Sequence, residues 1–400
     1  MQRLALASCG LLLAGCGASS DNGADAKAVA APRRVVKLPT AKRTKTAKPS
    51  TKPLRPVYEV VASNLVVPWD LAFAPDGRIF VTERPGRIRV IQNGKLRAAP
   101  WRTLNVRAVG EAGLLGIALS PDFARTGYVY VVGTFAGRGR LVNRVIRLTD
   151  RNGTGQSPVV IVDNIPAWPY HAGDALDFGP DGMLYVATAD ARTPEIAQNP
   201  RSPGGKILRY RPDGTIPPDN PLPGSPVYAL GQRNPQGLAW HPQTRDLFAT
   251  EHGPSGFANE GKREGHDELN VILPGANYGW PNVAGNVEDK RFVSPLADWT
   301  PAIAPSGLAI YNGREFPWKG NLFVGGLRGQ QIRRLVVASA PGSRTKWRVI
   351  SQQALFHQKL GRIRAVVMAP DGHLYFTTSN RDGRRKRFPN DDRVLRIVGR

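Results

Sequence analysis

Six times after residue 57 the sequence returns to one local pattern. A turn carrying Pro-Asp-Gly, or a relative of it, is joined to a short strand of alternating apolar residues. The copies are "FAPDGRIFVTER" (73–84), "LSPDFARTGYVYVVG" (119–133), "FGPDGMLYVATAD" (178–190), "WHPQTRDLFATEHG" (240–253), "FPWKGNLFVGGLRG" (316–329) and "MAPDGHLYFTTSN" (368–380). They are spaced roughly 45 to 80 residues apart, the interval of propeller blades with variable loops. After most copies comes a second alternating run, such as "GRIRVIQNG", "NRVIRLTD" or "DRVLRIVGR", read as an outer strand. A single four-stranded blade cannot bury both of its faces, whereas a ring of blades covers them and leaves only short edges. The pattern predicts an all-β chain, a six-bladed β-propeller over 57–400. "VYEVVASNL" (57–65) has no such turn of its own and is expected to pair with Arg393–Val398 and close the ring. A large sandwich or barrel would not explain a count of six.

Composition agrees where it bears on the fold. The 43 glycines and 35 prolines in 400 residues suit a turn-rich chain, and no long amphipathic helix stands out. The first 56 residues do not belong to the repeat. A basic start and the apolar "LALASCGLLLAGCG" read as a signal peptide over 1–16. Leu13-Ala14-Gly15-Cys16 resembles a bacterial lipobox, which makes Cys16 a lipidation site. In a two-membrane bacterium, Gly17 rather than Asp after that cysteine implies export to the outer membrane, facing the periplasm. Both cysteines of the chain, Cys9 and Cys16, lie in this leader, so the rest has no thiol nucleophile, disulfide or Cys-based metal site. Residues 17–56 are rich in Ala, Lys, Arg, Pro and Thr and read as a disordered tether. They hold ten basic residues against two acidic ones, about a third of the formal net charge of +24. An export signal turns this charge toward anionic lipid or cell wall and away from nucleic acid.

Several stretches together resemble the glucose/sorbosone dehydrogenase family, in order and across about 58–398. They are "EAGLLGIALSPDF", "HAGDALDFGPDG", "GGKILRYRPDGTIPPDNP", "ALGQRNPQGLAWHP", "TEHGP", "DELNVILPGANYGWPNVAG" and "APSGLAIYNG". The resemblance implies a six-bladed propeller, pyrroloquinoline quinone (PQQ) as cofactor, calcium, and oxidation of the anomeric carbon of an aldose to a lactone. It implies His171 as general base, a task that suits a neutral imidazole near pH 7. Asp190, ending the same strand, would orient that imidazole. Arg233 and Asn234 match the family's cofactor-contacting pair, and Arg328 stands where the family has Lys or Arg. Arg362 and Arg364 match an Arg-x-Arg pair, suited to cofactor carboxylates because residues two apart on a strand share a face. The string "GRIRVI" at 86–91 is nearly the same as "GRIRAV" and carries no assigned site. Gly253 and Pro254 match backbone ligands of calcium, Glu268 and Tyr278 resemble a second calcium site, and Glu111 lies where the family has an acid or amide near the sugar.

The sequence departs from the family at three places. Gly173-Asp174-Ala175-Leu176 replaces a usual Gly-Gly-Arg-Leu, Gln232 replaces a usual His, and "SGFANEGKREGH" (255–266) is longer than the usual link. The implied partners are an aldose, an electron acceptor the sequence does not name, and the membrane through a lipid; monomer and homodimer are both open. Two other readings remain: a calcium-dependent propeller lactonase, and a non-catalytic envelope propeller used for binding. No Gly-x-Ser-x-Gly, His-Glu-x-x-His or P-loop is present, and "GTFAGRG" (133–139) lacks the strand–helix context of a dinucleotide site.

Overall fold

In a computed structural model, residues 55–400 apart from 174, 287, 385 and 386 are described. The expected signal peptide, Cys16, almost all of the tether, and Asp174 therefore lie outside the described residues. The remainder forms six antiparallel sheets, each a path of four strands, with one short additional strand on the first. The innermost strands are Pro68–Phe73, Leu114–Leu119, Leu176–Phe178, Pro235–Trp240, Pro305–Ile310 and Ile363–Met368. All six contribute to the wall of one axial cavity of about 310 Å³, so they stand around a common axis as propeller blades do. The ring closes as expected. Pro56–Ala62 pairs antiparallel with Val394–Gly399, with Val57 opposite Val398 and Tyr58 opposite Ile397.

The repeated turn has a local cause. In three copies the Asp carboxylate accepts the main-chain N–H two residues on: Asp76 from Arg78 at 3.1 Å, Asp181 from Met183 at 3.1 Å and Asp371 from His373 at 3.0 Å. The glycine between them takes a left-handed φ, +85° at Gly77, +76° at Gly182 and +88° at Gly372, which a side chain would resist. These turns join the innermost strand of a blade to the second strand. The second strands Ile79–Glu83, Leu184–Thr188, Leu247–Glu251, Leu322–Gly326 and Leu374–Thr378 are buried along their whole length, because blades on either side cover both faces. Edge-to-face aromatic pairs, such as Phe80 with Trp101 and with Phe123, fill the space between blades.

This hairpin geometry decides where function can sit. The chain enters each innermost strand from one face of the disc, turns at the opposite face, and returns along the second strand. Residues before an innermost strand and residues after a second strand are therefore gathered on the same face. His171 precedes Leu176–Phe178, and Asp190 follows Leu184–Thr188. The antiparallel register, Leu176 opposite Val186 and Phe178 opposite Leu184, brings their two ends together. Asp190 thus ends the partner of the strand that His171 enters.

Candidate active site

His171 sits at a conformationally demanding position. Its φ is +55°, in the left-handed region that β-carbon residues rarely occupy. Three contacts hold it there. Glu111 Oε2 accepts the His171 main-chain N–H at 3.1 Å, Asn143 Nδ2 donates to the carbonyl of Ala172, and the Gly173 N–H donates to Asn234 Oδ1 at 3.3 Å. Gly173 has φ +56°, and a β-carbon on it would run into the main chain of Thr188 and Ala189. The imidazole is buried, with Nδ1 2.7 Å from Asp190 Oδ1 and Nε2 2.8 Å from Arg233 Nη2. A guanidinium only donates, so Nε2 must accept, and the proton of the neutral ring is on Nδ1, shared with Asp190. The ring therefore presents a lone pair on Nε2. Asp190 Oδ2 also accepts from Trp280 Nε1 at 2.9 Å. Burial would raise the pKa of Asp190, but the bond to His171 and the charge of Arg233 outweigh it and hold Asp190 below the usual carboxylate range.

The imidazole borders a cavity of about 710 Å³ on this face, lined by six arginines and four carboxylates. Arg233, Asn234, Arg328, Arg362, Arg364 and Glu111 all reach it. Arg362 and Arg364 do share a side, as their spacing requires. Arg362 Nε donates to Asp382 Oδ2 at 2.6 Å, Arg364 Nη2 lies 3.9 Å from the same carboxylate, and the Arg364 guanidinium stacks 3.6 Å from the centre of the Trp69 ring. Arg328 is exposed on the loop after Leu322–Gly326. Asn234 Nδ2 and His252 Nε2 are buried polar atoms with no hydrogen-bond partner among the described residues, and both side chains border the cavity.

The model for glucose/sorbosone dehydrogenases matches residues 65–387. The chain belongs to the glucose/sorbosone dehydrogenase family. Among solved structures of similar proteins is one from Thermus thermophilus, described as an assigned, not a demonstrated, oxidoreductase (glucose dehydrogenase). It is 46% identical at a TM-score of 0.77 and spans 86% of this chain and 100% of that one. The PQQ-bound aldose sugar dehydrogenase of Streptomyces coelicolor is 36% identical at a TM-score of 0.75, over 87% of this chain and 99% of that one. The aldose sugar dehydrogenase YliI of Escherichia coli is 32% identical over 357 residues, 81% of this chain and 90% of that protein.

Within this family member the four residues expected at metal sites meet at one place. Gly253, Pro254, Glu268 and Tyr278 all border a small space of about 10 Å³ beside the main cavity, room for about one water-sized occupant. Glu268 lies beside Glu251 in the interior. Burial lifts Glu268 to about 7, and burial together with the Glu268 charge lifts Glu251 well above the usual range. The Tyr278 hydroxyl is committed, donating to the carbonyl of Val271 and accepting from the N–H of Leu273, so a cation would have to take its main-chain carbonyl. Among the described residues no group of three or more His, Cys, Asp or Glu side chains converges as a metal site.

Glu111 has both oxygens engaged, one by His171 and the other by Arg384 Nη2 at 2.6 Å. Burial opposes its ionisation, but the neighbouring cations, Arg384 first, hold it below the usual range. Four participants had no sequence signal. Asp382, Arg384 and Arg84 sit on loops after second strands or beside them, and Glu260 lies in the 255–266 segment, paired with Arg233 at 2.6 Å. His252 has a signal in hindsight, since it directly precedes Gly253. Burial drives it down to about 3, so it stays neutral, and among the described residues no carboxylate hydrogen-bonds it as Asp190 does His171. Gln232, the departure from the family's His, is fully buried, and neither polar atom of its side chain has a partner among the described residues. Nothing in the structure explains that exchange.

Proposed function

We propose that this chain is a PQQ-dependent aldose dehydrogenase that oxidises the anomeric carbon of a sugar to the lactone. One observation carries the reading: a buried imidazole, its tautomer set by Asp190, turns an unprotonated Nε2 toward an arginine-lined cavity. The donors fit the cofactor. PQQ has three carboxylates and an ortho-quinone, and Arg328, Arg362 and Arg364 offer planar forks beside the unpartnered Asn234 Nδ2. Oxygen donors at Gly253 and Pro254, next to the buried Glu251–Glu268 pair, suit a hard cation such as Ca²⁺.

When bound, PQQ supplies the two-electron acceptor for hydride and Ca²⁺ makes it more electrophilic. The protein's part is positional. His171 Nε2 takes the proton of the sugar C1 hydroxyl as the C1–H bond breaks, which requires the sugar to displace the Arg233 contact. Asp190 receives the Nδ1 hydrogen bond throughout and stabilises the imidazolium that results. Glu111 holds the main chain of His171 and keeps spare lone pairs for a sugar hydroxyl.

The test is to add PQQ and Ca²⁺ to the apo protein and assay aldoses with an artificial electron acceptor. Sugar oxidation that needs both supports the reading; lactone hydrolysis with Ca²⁺ alone supports the lactonase instead. Binding should also stabilise the fold. A ligand confined to the folded state adds about 2.7 kcal/mol at 100 times its dissociation constant. The melting temperature should therefore rise with both ligands and fall again with chelator. No shift at saturating PQQ and Ca²⁺ points to a binding module.

The Leu-Ala-Gly-Cys motif and the tether support a lipoprotein anchored through Cys16, in the outer membrane facing the periplasm. Cys16→Ser should release the protein from membranes or block its processing. Wild-type protein that is wholly soluble and carries no lipid by mass spectrometry refutes the anchor.

A further inference from the structure

One half-buried guanidinium on the cavity wall has no anion. Of the six arginines there, Arg233 is paired with Glu260, Arg362 with Asp382 and Arg384 with Glu111, each at 2.6 Å, and Arg364 lies 3.9 Å from Asp382. Arg328, which is exposed, and Arg84, which is half-buried, make no ion pair among the described residues.

Arg84 follows Ile79–Glu83 directly, and its main chain ties two blades together. Its N–H donates to the Val67 carbonyl at 3.1 Å, and its carbonyl accepts from the Leu114 N–H at 2.9 Å. The side chain lies along Gly113, where a β-carbon would run into Arg84 Cγ, and Nη1 donates to the Gly110 carbonyl. Nε is buried without a partner, and Nη2 makes no hydrogen bond among the described residues. Burial first, and then the charge of Arg384, draw the guanidinium below its usual range despite the carboxylates of Asp382, Glu111 and Asp392. A bound anion would relieve both effects.

This cation stands beside the base. Gly110 precedes Glu111, whose N–H donates to the Pro169 carbonyl at 2.6 Å and whose Oε2 accepts from the His171 N–H. The segment that holds Arg84 Nη1 is thus laced to the segment that carries the imidazole. Between them Tyr170, 47% exposed, borders the cavity with its ring 6.0 Å from the Arg384 guanidinium. PQQ does not use up the cations. Its three carboxylates match Arg328, Arg362 and Arg364, Arg233 stands at the imidazole, and Arg84 is left over.

We propose, building on the dehydrogenase reading above, that Arg84 receives the carboxylate of an acidic aldose, so that the preferred substrates are uronate-type sugars. The C1 hydroxyl meets His171 Nε2, the ring lies against Tyr170, and the acid group meets Arg84 Nη2. One open positive charge matches a carboxylate better than a phosphate, which carries about −1.5 to −2.

The test compares D-glucuronate, D-glucose and D-glucose 6-phosphate on the full chain loaded with PQQ and Ca²⁺. Wild-type kcat/KM should be about tenfold or more higher for glucuronate than for glucose, as one charge-assisted hydrogen bond provides, with most of the difference in KM. Arg84→Gln can still donate to Gly110 but carries no charge, and it should lower the glucuronate-to-glucose ratio about tenfold or more. Arg84→Lys should restore part of the ratio, and Lys262→Gln, exposed away from the cavity lining, should leave it in place. A second readout needs no turnover. Methyl β-D-glucuronoside, blocked at C1, should bind more tightly than methyl β-D-glucoside and lose that margin in Arg84→Gln. Wild-type protein that uses glucose as well as glucuronate overturns the proposal, and decides the matter if no Arg84 variant folds. An unmoved ratio in folded Arg84→Gln overturns it too, as does a loss of PQQ affinity in that variant, which would give Arg84 to the cofactor. Preference for glucose 6-phosphate over glucuronate overturns the assignment to a carboxylate. A chain that oxidises none of the sugars yet binds the methyl glucuronoside through Arg84 refutes the dehydrogenase reading and leaves the acid site standing.

Discussion

Replacing His171 by Asn or Gln should lower sugar oxidation by at least about a hundredfold, the lower end of what a positioned general base contributes, while PQQ still binds. Both amides can donate to Asp190, and neither offers a basic lone pair where Nε2 now stands. Asn is the better control, because it tolerates the left-handed backbone at this position more readily than Gln. A loss seen in both variants, with unchanged melting temperatures, then belongs to the missing base and not to a displaced loop. Retained PQQ affinity is expected because the proposed cofactor grips lie on other blades, Arg328 after Leu322–Gly326 and Arg362 and Arg364 at the start of Ile363–Met368. The measurement is equilibrium PQQ binding and sugar oxidation on the same samples. Wild-type turnover in a His171 variant that binds PQQ would make the imidazole a bystander and move the search for a base to His252.

The fold was legible because one physical requirement recurs. Each Asp-Gly turn reports a hairpin between an innermost and a second strand, and six hairpins can hide their faces only by closing a ring. The same hairpins explain why loop residues scattered over nearly 300 positions of sequence, from Glu111 to Arg384, share one cavity. Local strings alone could not have shown this. Arg87 and Arg89 in "GRIRVI" sit on Arg87–Gln92, the third strand of their blade, where Arg87 pairs with Glu83 at 2.6 Å and Arg89 donates to the Arg97 carbonyl. Arg362 and Arg364, in almost the same string, begin an innermost strand and reach the cavity. Position within the blade, not the string, separates the two.

What stayed hidden were the counter-ions. Asp382 and Glu260 follow no spacing rule, because a carboxylate can approach a buried arginine from any loop that folds back over it. Glu260 is four residues past Gly256 in a segment with no counterpart in the repeat, and only the turn at Ala258–Glu260 aims it at Arg233. Glu111 was expected near a sugar, where the family has an acid or amide. It also stands between Arg384 and the main chain of His171, a role fixed by tertiary contacts that no sequence period encodes.

The other large effect concerns the grip on the cofactor. Arg362 and Arg364 form the densest pair of cations on one wall of the cavity, and Asp382, itself 3% exposed, offsets them in the absence of a ligand. Removing both arginines alone would strand that carboxylate and destabilise the blade, confusing lost binding with lost folding. The informative variant is therefore Arg362→Met, Arg364→Met and Asp382→Asn together. It removes two positive charges and one negative, strands no carboxylate, and keeps an aliphatic chain against Trp69. Hydrogen bonds to charged groups contribute about 1.5–3 kcal/mol each, so losing one from each arginine should weaken PQQ binding by about 10² to 10⁴. Turnover at saturating PQQ should recover toward wild type, since His171 and Asp190 are untouched. That recovery is the opposite of the His171 result, where no amount of cofactor restores the rate. Unchanged PQQ affinity in the triple variant, with a normal melting temperature, would show that this wall does not hold the quinone.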